Sequence, residues 1–307
     1  MHEERIVVNQ GGAYPLEGIL TLPEMDKPVA GVVLVHGSGS SNKDEKVMKL
    51  TPFKDIAQGL AQRGIASLRY DKRSFVHARK MLKDGIIDVR KETIEDAVEA
   101  TSILKKDPRI DANKVFIIGH SMGGMLAPRI DNEGGNYAGI IIMAGSPRNL
   151  DEILIGQVEE MISKQRFIAK WILEKQLHKY RDLFNKLPNL SPEDAKKIKF
   201  GGGTTLYYWK EMNEHPVSAY LEDLQKPLLL LQGAKDFQVK MDKDYALYQK
   251  MLEGHENATF KLYPDLNHCF VEAISDDITR ASKEYGVERH IPGVVMDDIA
   301  AWIKGIQ

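Results

Sequence analysis

Cysteine is almost absent from this chain of 307 residues, since Cys269 is the only one. A single cysteine excludes an intramolecular disulfide and a cysteine-rich metal site, so we expect a protein of a reducing compartment, the cytoplasm. Long apolar runs are also lacking, because the longest, such as 29–35 and 139–144, are far too short to cross a bilayer. The charged start from Met1 to Arg5 lacks the apolar core of a signal peptide. We therefore expect no membrane span and no targeting segment.

The chain has no excess of charge of one sign. It contains 42 Lys and Arg residues and 44 Asp and Glu residues, which gives a formal net charge of −2. Binding to nucleic acid through bulk charge needs a basic face or tail, and this balance excludes that class. A hydrophobic share of 43% with 28% charged residues is typical of a folded protein and not of a disordered one. The composition is therefore compatible with an enzyme or a binding protein.

Eight short runs rich in Val, Ile, Leu and Tyr, bounded by Gly, Pro or Asp, predict eight strands. The runs are 5–8, 17–22, 29–36, 65–70, 114–119, 138–144, 227–232 and 258–263. The first two, separated by Gly11-Gly12, are predicted to pair antiparallel. The later runs are unbroken and apolar, as in parallel strands covered on both faces, and helical patterns lie between them. The order predicts an α/β protein with a doubly wound, mostly parallel sheet of eight strands.

One interval, 147–223, interrupts the alternation of strands and helices. It has no strand-like run, but apolar residues such as Leu154, Val158 and Trp171 recur at helical spacing among many charges. We interpret it as a helical insertion that caps the carboxyl edge of the sheet, with 1–146 and 224–307 forming the core. Alternatively, its apolar stripe only packs the insertion onto that core.

The segment Gly119-His120-Ser121-Met122-Gly123 matches G-x-S-x-G, the strand-to-helix elbow that exposes the hydroxyl of a nucleophilic Ser. Small residues two before and two after the Ser let strand and helix pass closely. The match follows the apolar run 115–118 and precedes a helix-forming stretch, which is the context that makes this short motif specific. Ser121 is therefore the predicted nucleophile, and the alternative is a structural turn with an idle Ser.

A Ser nucleophile needs a base and an orienting acid, which follow it in the order Ser, acid, His. His268 comes just after the last predicted strand and is the predicted base, with His290 as the second candidate. His255 lies before that strand, and His178 and His215 lie in the insertion. The remaining histidines precede Ser121 and are excluded by the order: His2, His36, His77 and His120.

Asp236 is the predicted acid, because it follows the strand 227–232 at the same edge of the sheet. Asp265 and Asp242 are the competing candidates. Asp265 lies near a turn, and Asp242 stands at a predicted helix start, where an Asp caps free N–H groups without any further role.

The loop His36-Gly37-Ser38-Gly39 follows the third predicted strand and is placed to stabilise an oxyanion. We predict the backbone N–H groups of Ser38 and Met122 as the two donors. The alternatives are a plain Gly-Ser turn or a phosphate loop, although the Lys of a nucleotide-binding loop does not follow.

Two further groups of residues are candidates for substrate binding. Tyr207, Tyr208 and Trp209 form an aromatic cluster where the insertion returns to the sheet, and they either line an acyl or aryl pocket or form a small core within the cap. Lys72-Arg73, at the carboxyl edge, either receives an anionic substrate or pairs with Asp71 and Asp84.

The chain resembles the α/β-hydrolase superfamily over nearly its whole length. Within it, the resemblance is to capped serine esterases grouped with dienelactone hydrolase-like and acyl-CoA thioesterase-like proteins, cinnamoyl and feruloyl esterases among them. The matching stretches are 36–39, 70–73, 119–124, 231–236 and 263–268. Ser121 replaces the Cys of true dienelactone hydrolases, which argues against that reaction.

The resemblance and the residues together imply hydrolysis of carboxylic esters, short-chain, aryl or hydroxycinnamoyl, by Ser121, His268 and Asp236 through an acyl-enzyme. An acyl-CoA thioesterase or an amidase would use the same residues, and a non-catalytic ligand-binding protein on this scaffold is the alternative from another class. We expect no metal and no cofactor. We expect a small-molecule ester as the partner and no nucleic acid. The sequence is compatible with a homodimer.

Overall fold

The computed structural model describes residues 1–85, 88–222 and 224–306. Asp223, the predicted end of the insertion, and Gln307, the end of the predicted core, lie outside this range. The eight predicted strands are confirmed. They are β1 (His2–Val8), β2 (Leu16–Leu22), β3 (Val29–Val35), β4 (Ala66–Tyr70), β5 (Ile110–His120), β6 (Ile140–Met143), β7 (Leu228–Gly233) and β8 (Ala258–Tyr263).

The eight strands form one sheet in the order β1-β2-β4-β3-β5-β6-β7-β8. Strand β2 runs antiparallel to both β1 and β4, and the remaining neighbours pair in parallel, as predicted. The chain steps from β3 outward to β4 and then back across to β5, so the order reverses at β3. In open α/β sheets ligands bind beyond the carboxyl ends of the strands at such a reversal. The loops after β3 and β5 therefore lie where a site is expected.

The helices alternate with the strands and also fill the long interval between β6 and β7. They are α1 (Pro52–Ala61), α2 (Arg73–Val76), α3 (Ala78–Lys83), α4 (Glu95–Lys106), α5 (Met122–Ile130), α6 (Leu150–Lys164), α7 (Phe167–Phe184), α8 (Pro192–Lys197), α9 (Leu206–Glu214), α10 (Val217–Leu221), α11 (Ala246–Met251), α12 (Ala281–Tyr285) and α13 (Gly293–Gly305). None of the described helices combines the length and apolar character that a bilayer crossing requires.

The sheet separates two apolar cores, because successive strand residues point to opposite faces. On β3, Val33 and Val35 belong to one core while Val32 and Leu34 belong to the other. Helices α4, α5 and α11 cover the first face, and α1 and α13 cover the second. Both faces of the central strands are thus buried, which explains their unbroken apolar sequence.

The interval between β6 and β7 is helical, from α6 to α10, and has a small apolar core of its own around Phe184, Leu187 and Leu206. Its first helix is tied to the loop after β7. The Gln157 side chain donates a hydrogen bond to the Gln238 carbonyl at 3.1 Å, and Glu160 pairs with Lys240 at 2.9 Å.

Helix α5 approaches the ends of strands β5 and β3 so closely that two positions exclude a side chain. A Cβ on Gly119 would lie 2.1 Å from the carbonyl oxygen of Gly123, and a Cβ on Gly123 would lie 2.2 Å from that of Val35. Both atoms are backbone and cannot rotate away. Glycine at these two positions is therefore a steric requirement of the fold.

We predict that Gly119→Ala lowers the free energy of unfolding by at least about 3 kcal/mol, because backbone must move to admit the methyl group. Gly156→Ala is the matched control, since Gly156 lies in α6 with open space around its Cβ position. We expect it to stabilise the protein by about 0.5–1 kcal/mol through helix propensity. Thermal unfolding of both variants tests this, and equal melting temperatures would contradict the steric argument.

Candidate active site

Ser121 occupies the turn between β5 and α5 in a conformation that side chains rarely adopt, with φ 53° and ψ −119°. Two hydrogen bonds hold the turn. Ser121 N–H donates to the Met143 carbonyl at 2.8 Å, and Met125 N–H donates to the Ser121 carbonyl at 3.1 Å. The side chain lines a cavity above the carboxyl edge of the sheet. Such strain persists where the surrounding structure enforces it, often at functional sites.

His268 and Asp236 are brought together in the structure although they follow different strands. Asp236 Oδ2 lies 2.7 Å from His268 Nδ1, and both side chains are buried. The other carboxylate oxygen, Oδ1, accepts the backbone N–H groups of Gln238 at 2.7 Å and Val239 at 3.0 Å. The carboxylate is therefore fixed by the turn after β7. Donation from Nδ1–H to Asp236 leaves Nε2 of His268 available to take a proton.

The competing candidates lie elsewhere. His290 is exposed and its Nδ1 lies 3.0 Å from an oxygen of Asp55 on α1. Asp242 is an exposed residue in the turn that leads into α11, and Asp265 is exposed in the loop after β8. None of the three takes part in the contact between His268 and Asp236.

The loops that carry Ser121 and His268 meet through His120, the neighbour of Ser121. His120 Nε2 lies 2.8 Å from the backbone carbonyl oxygen of His268, and the two imidazole rings pack with centroids 4.8 Å apart. Among the hydrogen bonds of the described residues, none joins Ser121 Oγ directly to His268. Such bonds are often longer in unliganded enzymes and tighten when substrate binds.

Glu45 is a buried carboxylate that joins this contact to the loop after β3. Its Oε2 lies 2.9 Å from His120 Nδ1, and its Oε1 accepts the N–H of Gly37 at 2.8 Å. Burial opposes ionisation of both side chains, but the Coulomb attraction between them raises the pKa of His120 and lowers that of Glu45. The two form a buried ion pair directly behind the candidate nucleophile.

The loop after β3, which carries the candidate oxyanion donor Ser38, lies against Ser121. A Cβ on Gly37 would stand 3.1 Å from Ser121 Cβ, and Ser38 lines the same cavity. Met122 is the first residue of α5, where backbone N–H groups have no acceptor within the helix. Lys72 Nζ donates to the Gly37 carbonyl at 2.9 Å and is buried. Gly37 is thus held at its N–H by Glu45 and at its carbonyl by Lys72.

The predicted roles of Lys72-Arg73 were wrong in both alternatives. Lys72 is buried beneath the loop after β3, with Glu92 Oε2 3.7 Å from its Nζ. Arg73 is also buried, and its Nε donates to Asp96 at 3.0 Å. Asp71 and Asp84 instead pair with Lys43 and Lys80. The two cations therefore stabilise the fold around the site and do not face a substrate.

A cavity of about 430 Å³ opens above Ser121. Its floor is formed by loops of the core and its roof by the helical interval between β6 and β7. Its wall includes Ser38, Glu92, Ser121, Met122, Leu150, Ile153, Leu154, Gln157, Tyr208, Trp209 and Gln238. Apolar side chains dominate one part of the wall, and Glu92 supplies a carboxylate at another.

The aromatic cluster on α9 divides between two environments. Tyr208 and Trp209 line the cavity, and the Tyr208 hydroxyl donates to Glu92 at 2.9 Å. Tyr207 turns away from it, with Lys196 Nζ 4.9 Å from its ring centroid. Trp209 also packs against Phe184 and Phe200, with ring centroids 4.9 Å apart in each case. Both interpretations of the cluster, pocket wall and small core, therefore apply to Trp209.

Sequence reasoning missed the contacts of Glu45 and the part that His120 takes in joining the loops. No motif or spacing marks Glu45, which follows an unremarkable polar loop. His120 was set aside as a base by chain order, but as the x of G-x-S-x-G it had a signal, because the elbow places its side chain beside the nucleophile.

Residues 26–272 match the family described as serine aminopeptidase, S33. Esterase EstD of Thermotoga maritima is 34% identical over 288 residues, which are 94% of this chain and 65% of that protein. The chain thus spans less than two thirds of the length of this relative.

Two solved structures share the fold. An esterase of Pyrococcus furiosus, Pf2001, superposes with a TM-score of 0.59 at 15% identity, covering 99% of this chain and 91% of that one. Est1E from Butyrivibrio proteoclasticus, solved with ferulic acid bound, gives a TM-score of 0.56 at 14% identity, covering 96% and 99%. The architecture is the α/β-hydrolase fold.

We predict that Glu45→Ala lowers kcat for p-nitrophenyl acetate by about tenfold or more, because Gly37 loses the acceptor that fixes its N–H next to the candidate oxyanion site. Glu45→Gln keeps an acceptor for Gly37 and a polar partner for His120, and we expect it to recover most of the loss. Rates are normalised to active sites titrated with a fluorophosphonate.

Lys46→Ala, an exposed substitution in the same loop, is the control. If Glu45→Ala lowers the melting temperature but keeps the wild-type kcat per titrated site, Glu45 supports only the fold.

Proposed function

The chain belongs to the serine aminopeptidase S33 family, and from that premise we propose that it is a serine hydrolase that cleaves carboxylic esters through an acyl-enzyme on Ser121. One observation carries the proposal. The strained turn at Ser121 opens into a cavity while the buried pair of His268 and Asp236 packs behind it through His120. The name of the relative EstD supports an ester as the substrate.

In the proposed mechanism His268 Nε2 takes the proton of Ser121 as its oxygen attacks the ester carbonyl carbon. Asp236 holds the imidazole through Nδ1 and stabilises the positive charge that forms on the ring. The N–H groups of Ser38 and Met122 bind the oxyanion. His268 then protonates the departing alcohol, and water cleaves the acyl-enzyme with the same His as base. These steps use only residues of the chain, so we expect no metal or cofactor.

We propose that 147–223 acts as a cap and selects the acyl group. The walls that it contributes are largely apolar, with Leu150, Ile153 and Leu154 from α6 and Trp209 from α9. A volume of about 430 Å³ suits a short-chain or an aryl acyl group, including a hydroxycinnamoyl group. With the acyl group bound in this cavity, Tyr208 and Trp209 contact it, and Tyr207 does not.

Thioester and amide hydrolysis remain the alternatives, since they pass through the same tetrahedral intermediate. The family description favours an amide and the relative EstD an ester. Values of kcat/KM for p-nitrophenyl esters, acyl-CoA and aminoacyl anilides separate the three. We propose that the enzyme works in the cytoplasm, as its single cysteine suggests, and leave a homodimer open.

A fluorophosphonate probe is predicted to label Ser121 alone, and Ser121→Ala to abolish labelling without unfolding the protein.

His268→Ala and Asp236→Asn should each lower kcat by about four orders of magnitude. Because the three residues act as a unit, the double variant of Ser121 and His268 should be little worse than either single variant. Additive losses would show that the wrong His has been assigned.

Trp209→Ala is predicted to change the preference among ester chain lengths, because the lost ring removes apolar wall worth about 25 cal/mol per Å². On acetate, which does not reach the ring, kcat should fall by less than about tenfold. Tyr207→Ala is the matched control, since this neighbour on α9 lies off the cavity, and its profile should stay that of the wild type. A Trp209→Ala variant with a lower melting temperature and an unchanged profile would place Trp209 in the core of the cap only.

A further inference from the structure

The first turns of α7 carry large apolar side chains that nothing in the described structure covers. Phe167 is 86% exposed, Ile168 75%, Trp171 61% and Ile172 51%. Their spacing places all four on one side of the helix. The opposite side is the buried one, where Leu177 and Phe184 lie. We call these four exposed residues the apolar patch.

The apolar patch continues into a positively charged surface. Lys175 and Lys179 follow on the same side of α7, one and two turns further along. Lys175 Nζ lies 5.6 Å from the ring centroid of Trp171. Neither Lys has a carboxylate within 4.0 Å among the described residues, and the same holds for the exposed Arg166 that precedes the patch. Helix α7 carries four cations against two carboxylates in a chain whose net charge is −2.

The apolar patch also has a defined place relative to the cavity. Helix α6 supplies Leu150, Ile153 and Leu154 to the cavity wall, and α7 packs against α6. The patch therefore faces outward from the roof of the cavity, and whatever binds it lies next to the cap.

The positive charge around the apolar patch determines which kind of partner can bind it. A second copy joined through the same face would bring the Lys and Arg residues around the apolar patch opposite their own kind, which disfavours a symmetric dimer here. An anionic bilayer surface satisfies both features at once. Aromatic and aliphatic side chains enter the boundary with the acyl chains, while Lys and Arg remain among the phosphates.

We propose that the start of α7 docks the protein onto the surface of bilayers that contain anionic phospholipids. The helix lies in the interface and does not cross it. Docking is independent of the reaction proposed for Ser121, so Ser121→Ala should bind lipid as the wild type does.

The test uses the full chain with vesicles of phosphatidylcholine alone or mixed with phosphatidylglycerol. We expect cosedimentation with the anionic vesicles, weaker binding at high salt, and a blue shift of tryptophan fluorescence that Trp171→Phe removes while binding persists. The double substitution Phe167→Ser with Trp171→Ser should weaken binding at least about tenfold, since both aromatic side chains of the apolar patch are lost. Lys175→Glu with Lys179→Glu should remove the preference for anionic vesicles.

Val294→Ser, at an exposed apolar position on the remote helix α13, is the matched control and should bind as the wild type does. Melting temperatures confirm that each variant is folded. Equal binding by the wild type and the Phe167/Trp171 variant would overturn the proposal. So would a wild-type dimer that ignores vesicles and becomes a monomer in that variant by light scattering, because the patch would then be a contact between copies.

Discussion

The structure around the site depends on the close approach of helix α5 to strands β5 and β3. Because no Cβ fits at Gly119 or Gly123, the chain reverses within one residue and Ser121 takes a positive φ. The same turn starts α5, so the N–H of Met122 belongs to the first turn of the helix and has no acceptor within it. It also sends His120 to the other side, toward the loop that carries His268. One steric constraint thus places the candidate nucleophile, one candidate oxyanion donor and the residue that meets the base loop.

Buried charge then fixes the surrounding loops relative to that turn. Glu45 contacts His120 with one carboxylate oxygen and Gly37 with the other, while Lys72 binds the Gly37 carbonyl. The loops after β3, β5 and β8 are thereby joined through short polar contacts within a buried region. A buried ion pair that loses one partner leaves an uncompensated charge, so the loss of either Glu45 or His120 would destabilise this region.

The sequence predicted what local patterns determine. Eight apolar runs were enough to predict the strands, and the elbow motif and the strand ends were enough to select Ser121, Asp236 and His268 as candidates. The sequence did not predict features that depend on the rotation of a helix about its axis or on contacts between residues distant in the chain. Glu45 meets His120 only because two loops converge, and no spacing records that. Tyr207 and Tyr208 are neighbours with the same chemistry, and only the packing of α9 decides that Tyr208 faces the cavity. The charged stretch of α2 and α3 lacks the apolar stripe by which a helix is found in a sequence.

The central claim is that acyl transfer passes through Ser121. Acid quenching during turnover of p-nitrophenyl butyrate, followed by peptide mapping, tests it most directly, because an acyl-serine ester survives at low pH. We predict a single butyryl group on the peptide that contains Ser121, and none in the His268→Ala variant. A butyryl group on another residue, or turnover without any covalent intermediate in the wild type, would contradict the account.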